Sequence, residues 1–270
     1  MKTVPKEIIS YVYKPRARLF HIVLQLRDVP GALADITNSL ARNKVNILGG
    51  FISGIGDSTE KDGADRSVGL FVEAQNHEMT AQQIRGLIQD SSYASEITVR
   101  ESADGLIVDS LNFPLKLSQG QRAIVMRSDV IAKSMDEIRQ IFNTGGDVML
   151  YKQGFSAGRN DAEELIRIFG EGSILNRIED LVNLYSSLGW GKAKIAEVEF
   201  EKLSARIRID ENFECMGQEK KSKPYSQFVR GHLAGLSTYL FSTEMKCTEV
   251  KCASMGDAYC EFLLTFSVQS

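Results

Sequence analysis

Glu249-Val-Lys-Cys252-Ala-Ser-Met-Gly-Asp-Ala-Tyr-Cys260 decides how the C-terminal half of the chain is read. Two cysteines stand eight positions apart around Met255-Gly-Asp257, with a carboxylate three residues before the first. This pattern predicts a hairpin centred on Gly256, with strands over Val250–Ala253 and Tyr259–Phe266. Opposed residues of an antiparallel pair hold Cβ atoms roughly 4.5–5.5 Å apart, which brings Cys252 and Cys260 within reach of one metal ion. Two further cysteines offer a fourth donor beside Glu249. Cys247 lies two residues before Glu249 and shares its strand face, and Cys215 lies upstream in a Glu-Cys-Met-Gly turn. Four protein ligands make a closed structural site, one that stabilises the fold and does not activate water.

The bulk numbers narrow the function classes. At 270 residues the chain is long enough for two domains. A formal charge of −3 without any basic block argues against nucleic acid or an anionic membrane as partner. No apolar run reaches the roughly 18–20 residues that span a bilayer. The N-terminus Met1-Lys-Thr-Val-Pro-Lys-Glu7 lacks a signal peptide's apolar centre, so the expected location is the cytoplasm. In a reducing compartment, four cysteines, clustered as here, favour metal binding over a disulfide scaffold. The only histidines are His21, His77 and His232, which disfavours a catalytic metal. No GxxxxGK[ST], HExxH or GxSxG motif occurs, Gly49–Gly54 lacks the strand–GxGxxG–helix order, and no basic recognition helix is present. No residue set offers hydride delivery or a general acid–base pair, so the sequence speaks against an enzyme.

Upstream of the hairpin, Tyr225–Phe241 reads as a helix in which Gly231 and Gly235 clear one face for a close neighbour. Lys194–Phe200 and Leu203–Ile209 alternate as strands. Phe155–Phe169 and Ser173–Leu188 read as helices, the second capped by Ser173, and Val148–Tyr151 as a strand. Ala132–Asn143 is an amphipathic helix expected to stop at Gly145-Gly146. Asn112–Leu117 and Arg122–Arg127 read as short strands joined at Ser118-Gln-Gly120.

In the N-terminal half, Leu19–Arg27 is a strand and Asp28-Val-Pro-Gly-Ala-Leu33 a turn in which Asp28 caps the following helix. Leu33, Ile36, Leu40 and Val45 mark that helix at helical spacing. Val45–Ile52, Val68–Ala74 and Glu96–Arg100 are strands, Thr80–Asp90 a second helix, and Gly54–Arg66 a mobile connection. The order β-α-β-β-α-β is a split βαβ unit of ferredoxin-like type, which makes the chain an α+β protein.

Residues 19–101 resemble an ACT domain, through Arg27-Asp-Val-Pro-Gly-Ala-Leu33 after the first strand and Val45-Asn-Ile47 opening the second. The resemblance implies a dimerising module with an effector site for an amino-acid-like ligand, carried over to Asp28, Pro30, Gly31, Ala32, Leu33, Asn46 and Ile47. Residues 125–270 resemble a V4R (4-vinyl reductase) domain, through Leu188-Gly-Trp-Gly191, Phe228-Val-Arg-Gly-His-Leu-Ala-Gly235 and Glu249-x2-Cys252-x7-Cys260-x-Phe262. That resemblance implies an antiparallel sheet flanked by helices, a small-molecule pocket that Trp190 lines, and structural zinc on Glu249, Cys252 and Cys260. The family's upstream cysteine is replaced here by Ser226, five residues before Gly231, which leaves Cys247 or Cys215 for the fourth position. The division is then an extension over 1–18, the ACT domain, a linker over 102–124 and the V4R domain. The function implied is that of a cytoplasmic, homodimeric small-molecule sensor acting on a separate regulator or enzyme. The alternatives are an enzyme or assembly factor for a vinyl or tetrapyrrole substrate, and a ligand-free dimerisation scaffold.

Overall fold

The computed structural model describes residues 4–53, 65–102, 104–117, 121–170, 178–202, 204–217 and 220–266. The chain divides into two units, residues 1–124 and residues 125–270. The tract over residues 54–64, the turn over residues 118–120, the cap at Ser173 and the strand start at Leu203 lie outside the described residues.

The N-terminal unit runs β1 (Tyr11–Tyr13), β2 (Arg18–Leu26), α1 (Ala32–Arg42), β3 (Val45–Ser53), β4 (Arg66–Ala74), α2 (Ala81–Gln89), β5 (Ala94–Ser102) and β6 (Leu106–Val108). From β2 to β5 the succession is β-α-β-β-α-β, and these four strands form one antiparallel sheet in the order β3-β4-β2-β5. Phe20, Ile22, Leu24 and Leu26 of β2 face a core shared with Ile36 and Leu40 of α1 and Ile84 and Ile88 of α2. Leu19 points the other way, into a second cluster with Phe71 and Ile107. A strand buried on both faces loses polar alternation, as in the near-continuous apolar run of β2. The second face is covered with help from β1 and β6, a two-stranded ribbon too short to register as a period in the sequence. Asp28 does not cap α1. That position belongs to Gly31, whose φ of 93° suits a residue without Cβ, and Asp28 instead pairs with Arg66 at 2.5 Å. Thr80 and Gln83 close a reciprocal capping box on α2.

His21 is fully buried on the second face of this sheet, stacked on Phe71 with ring centroids 4.4 Å apart. Its Nδ1 has no hydrogen-bond partner, and Asp109 stands 3.8 Å away. Burial holds the imidazole below its ordinary pKa, against the opposing pull of Asp109.

The C-terminal unit runs α3 (Ser128–Phe142), α4 (Thr144–Phe169), α5 (Ile178–Ser187), β7 (Lys192–Glu199), β8 (Ser204–Asp210), α6 (Gln227–Leu240), β9 (Met245–Lys251) and β10 (Cys260–Phe266). Its antiparallel sheet has the order β7-β8-β10-β9. Ile207, Ile209, Phe262 and Leu264 of the sheet pack with Leu150, Val182, Val229 and Leu233 of the helices in one core. Three expectations are corrected here. Val148–Tyr151 is not a strand but part of the 26-residue helix α4. Gly145-Gly146 do not end α3; they lie in the first turn of α4, and the break is Asn143, with a φ of 51°. A Cβ on Gly146 would sit 2.8 Å from the Ile138 carbonyl oxygen, so the glycine serves the packing of α4 on α3. Asn112–Leu117 and Arg122–Arg127 are not strands; Lys116 and Arg122 share a single bridge, and Arg127 precedes α3 as its N-cap.

Helices α4 and α6 meet through glycine on both sides. A Cβ at Gly154 would lie 2.1 Å from the Phe228 carbonyl oxygen, and one at Gly158 would lie 2.1 Å from that of His232. A Cβ at Gly231 or Gly235 would lie 2.1 Å from the carbonyl oxygen of Tyr151 or Phe155. The clearance expected of Gly231 and Gly235 therefore has a matching pair on the partner helix. Among the described residues, no helix is long and apolar enough to cross a membrane.

Two measurements check this description. Helix propensity alone favours alanine over glycine by about 1 kcal/mol, yet Gly231→Ala is expected to destabilise the C-terminal unit by ~1–3 kcal/mol, read from urea unfolding, because the helices must separate. For His21, the unfolded ring takes a proton below pH ~6.5 that the folded ring resists. Stability from this residue is therefore present above that pH and lost as pH falls below it. The dependence of unfolding free energy on pH between 5 and 7 is expected to flatten in His21→Gln.

Candidate metal centre and apolar cavity

Cys215, Glu249, Cys252 and Cys260 converge at one point, with their ligand atoms all within 4.8 Å of one another. Each arrives on a different piece of backbone. Cys215 ends a short 3-10 turn, Phe213–Cys215, after β8. Glu249 is on the buried face of β9, Cys252 follows that strand, and Cys260 opens β10. The connection between the cysteines is tighter than a plain hairpin turn: Ala253–Met255 form a 3-10 turn, and Gly256 leaves it at a φ of 108°. The Asp257 carboxylate accepts from the Cys252 N–H at 2.8 Å, and the Ala253 N–H donates to the Cys260 sulfur at 3.4 Å. The expected strand Val250–Ala253 thus ends at Lys251, because the backbone turns to aim both sulfurs inward.

The sulfur of Cys215 lies 3.8 Å from that of Cys252 and 3.6 Å from that of Cys260. A tetrahedral ion with metal–sulfur bonds of about 2.3 Å has ligand–ligand edges of about 3.8 Å, so the spacing fits such an ion. The carboxylate is held from behind. Ser226 donates to Glu249 twice, from its backbone N–H to Oε2 at 2.9 Å and from its hydroxyl to Oε1 at 2.8 Å. Asn212 Nδ2 donates to the Ser226 hydroxyl at 2.8 Å. Ser226, the position where a ligating cysteine was expected, therefore orients the Glu249 carboxylate. Cys215 supplies the third sulfur.

Electrostatics favour a cation at this point. Burial, then the neighbouring Cys252, pushes the Glu249 carboxyl up to about 7. Contacts from Cys252 and Cys260 pull the Cys215 thiol well down, and contacts with Cys215 and Cys252 push the Cys260 thiol well up. Three touching sulfurs and a buried carboxylate cannot all be ionised without a positive charge among them. Cys247, the other suggested ligand, is buried in the hydrophobic core outside the cluster, its thiol pushed up by burial.

One carboxylate beside the cluster has a different task. Glu214 is fully buried and accepts from the backbone N–H groups of Phe228 and Val229 in the first turn of α6, at 3.1 and 3.0 Å. Arg139 meets it at 2.5 Å and also donates to the Tyr225 carbonyl at 2.8 Å. Burial pushes the Glu214 carboxyl up to about 7 in spite of Arg139. A capping residue thirteen positions ahead of its helix leaves no local pattern, so sequence reading missed it.

The second feature is an apolar cavity of about 70 Å³. Leu181, Val182 and Tyr185 of α5, Leu233 and Leu236 of α6, and Ile207 of β8 line it. It has room for several waters but few polar partners to hold them, which suits an apolar occupant. Trp190 stands behind this wall, packed edge-on against Tyr185 at 5.3 Å and His232 at 4.8 Å. In the N-terminal unit the expected effector residues are dispersed by environment: Asp28, Pro30, Gly31 and Asn46 are exposed, Leu33 and Ile47 half-buried, and Ala32 buried.

A family model described as the V4R domain matches residues 205–266, which include Glu249, Cys252 and Cys260. No curated protein matches the chain. Similar solved structures include the phenol-responsive sensory domain of the transcription activator PoxR with phenol, at 16% identity over 54% of this chain and 78% of that one, with a TM-score of 0.47. A trafficking protein particle complex subunit 3 from Naegleria fowleri, covalently bound to palmitic acid, is similar at 17% identity over 52% of this chain and 95% of that one, with a TM-score of 0.41. A vinyl-4-reductase family protein from Methanocaldococcus jannaschii is similar at 18% identity over 54% of this chain and 85% of that one, with a TM-score of 0.39.

The cluster makes a direct prediction about its members. Elemental analysis of protein purified without chelator is expected to find metal in the unaltered chain and in Cys247→Ser, and a large loss in Cys215→Ser. Equal retention in both variants would remove Cys215 from the ligand set.

Proposed function

We propose that the chain is a small-molecule-sensing regulatory protein whose C-terminal unit is a V4R module for an apolar or aromatic ligand. The apolar cavity between α5, α6 and the sheet carries this reading, and the V4R match over residues 205–266 agrees with it. Burying a small apolar molecule there gains roughly 25 cal/mol per Å² of apolar surface removed from water. The C-terminal cluster is read as structural zinc on Cys215, Glu249, Cys252 and Cys260, since three thiolates and one carboxylate form a closed tetrahedral set. Its task is to tie the ends of β9 and β10 to the turn before α6. No step of ligand recognition passes through it.

The N-terminal unit is read as an ACT module for an amino-acid-like effector. Its β-α-β-β-α-β succession and sheet order support the reading, as does the left-handed Gly31 at the start of α1, where backbone N–H groups favour a carboxylate. The chain is read as a cytoplasmic homodimer that acts on a separate transcription regulator or enzyme, with each ligand shifting the population of dimer arrangements by its differential affinity.

A thermal-shift screen of the whole chain against amino acids and small phenolics tests this. Stabilisation of the C-terminal unit by at least one apolar aromatic compound is expected, and a ligand at 100 times its Kd adds about 2.7 kcal/mol. No stabilisation by any compound at millimolar concentration would overturn the sensor reading. For the metal, close to one zinc per chain is expected, with a sharp loss of thermal stability in Cys252→Ser.

A further inference from the structure

We propose that the groove between α2 and the outer edge of β5 docks an extended, acidic peptide segment of a partner protein. This surface serves the separate partner of the function proposed above, and its assignment rests on that part of the reading. The groove has a volume of about 580 Å³ and lies between Gln82, Arg85, Gly86 and Gln89 of α2 and residues 97–99 of β5. None of Asp28, Gly31 or Asn46 lines it. β5 closes the sheet order β3-β4-β2-β5, so one of its edges has no strand partner. Among the described residues, no backbone group bonds to residues 97–99 from that side. Alternate residues of an antiparallel edge strand turn both N–H and C=O outward, a row that an added strand can pair.

Gly86 is a second sign of an occupant. A Cβ at Gly146, Gly154, Gly158, Gly231 or Gly235 would meet backbone at 2.1–2.8 Å, so those helix glycines serve packing inside the chain. Gly86 stands midway along α2, and a Cβ there would meet nothing within 4 Å. Glycine weakens a helix interior relative to alanine, and no packing inside the chain offsets that loss here. What the missing side chain leaves is room in the groove. Charge then selects the occupant. Among the described residues Arg85 is the one charged group in the lining, and it has no ion-pair or hydrogen-bond partner. Glu101, further along β5, is engaged by Arg18 at 3.3 Å and by the Ala81 N–H at 2.7 Å, and Glu96 stands outside the lining. A second copy pairing its own β5 about a two-fold axis sets this stripe against itself and brings like charges together. A segment carrying Asp or Glu instead gives the guanidinium a carboxylate. Gln82 and Gln89, one turn to either side of Arg85, offer amides to the segment's backbone.

Panning a phage-displayed library of random peptides on the whole chain tests this, with binding of the selected peptides measured by fluorescence anisotropy. Enrichment of peptides that place Asp or Glu within a run of β-branched or aromatic residues is expected. Gly86→Met fills the groove with a good helix former. It is expected to weaken peptide binding about tenfold while the urea midpoint of the chain stays unchanged or rises. Arg85→Glu is expected to weaken binding comparably and, in a second panning, to select Lys or Arg in place of the acid. Bound peptide is expected to slow amide exchange at residues 97–99. Undiminished binding in both variants would overturn the proposal, as would a lowered midpoint in Gly86→Met, which gives the glycine a role inside the fold. A dimer of the unaltered chain that Gly86→Met converts to monomer would overturn it in favour of a second copy in the groove. No enriched peptide, in protein that an amino acid or phenolic still stabilises, would overturn the groove and leave the sensor reading intact. Peptide binding without stabilisation by any small molecule supports the groove and overturns the sensor reading.

Discussion

The close contact of α4 and α6 is the constraint on which the C-terminal unit depends. Four glycines, two on each helix, bring backbone against backbone, with carbonyl oxygens where side chains would otherwise start. Ordinary helix pairs stand 8–10 Å apart, held off by their side chains. Removing those side chains forfeits side-chain burial at the contact, and the loss is offset by dispersion between two well-fitted backbones. The consequence is positional. Once α6 is locked against α4, its first turn must end beside β9 and its middle must lie over the sheet. Both the cysteine cluster and the apolar cavity of this unit are then set by one helix.

The start of α6 gathers two buried carboxylates, and their environments divide the work between them. Glu214 is matched by Arg139 and by two backbone N–H groups, so its charge is satisfied within the protein. Glu249 has a serine behind it and sulfurs in front, and among the described residues no side-chain cation pairs with it. An uncompensated buried charge costs several kcal/mol, so two carboxylates at comparable depth cannot both rest unpaired. One is neutralised by an arginine from α3. The other sits in a donor set whose chemistry asks for a cation from outside.

Much of this architecture was legible in the sequence, and the failures have physical causes. The β-α-β-β-α-β succession followed from periodicity, since each amphipathic helix there covers one face of a sheet. Glu249, Cys252 and Cys260 were legible because their spacing lies within a single hairpin. Val148–Tyr151 was misread because its neighbours Gly146, Gly154 and Gly158 look like helix breakers, whereas here glycine is the packing surface of a long helix. Choosing between Cys215 and Cys247 was beyond local pattern. Both satisfy a rule of proximity in sequence or strand face, and only the 3-10 turn after β8 determines which sulfur reaches the others. Hydrogen bonds between Asp161 and His232 and between His232 and Tyr185 join three helices across 71 and 47 residues of sequence, so no motif announces them.

The V4R resemblance leads to a cysteine at position 226, where this chain carries Ser226. A tetrahedral site fixes donor count and distance, and it is indifferent to which backbone segment supplies each donor. Here the turn after β8 brings Cys215 beside Cys252 and Cys260, so three thiols and a carboxylate converge with no sulfur at position 226. Position 226 carries a hydroxyl that accepts from Asn212 while donating to Glu249, which a thiol would do weakly. Asn212 in turn accepts from the Glu214 N–H at 3.2 Å, so the turn that presents Cys215 is fastened by the same residue that supports Ser226. Ser226 and Cys215 are therefore two parts of one arrangement. Placing a cysteine at 226 or removing the one at 215 leaves the point of convergence with one sulfur too many or too few.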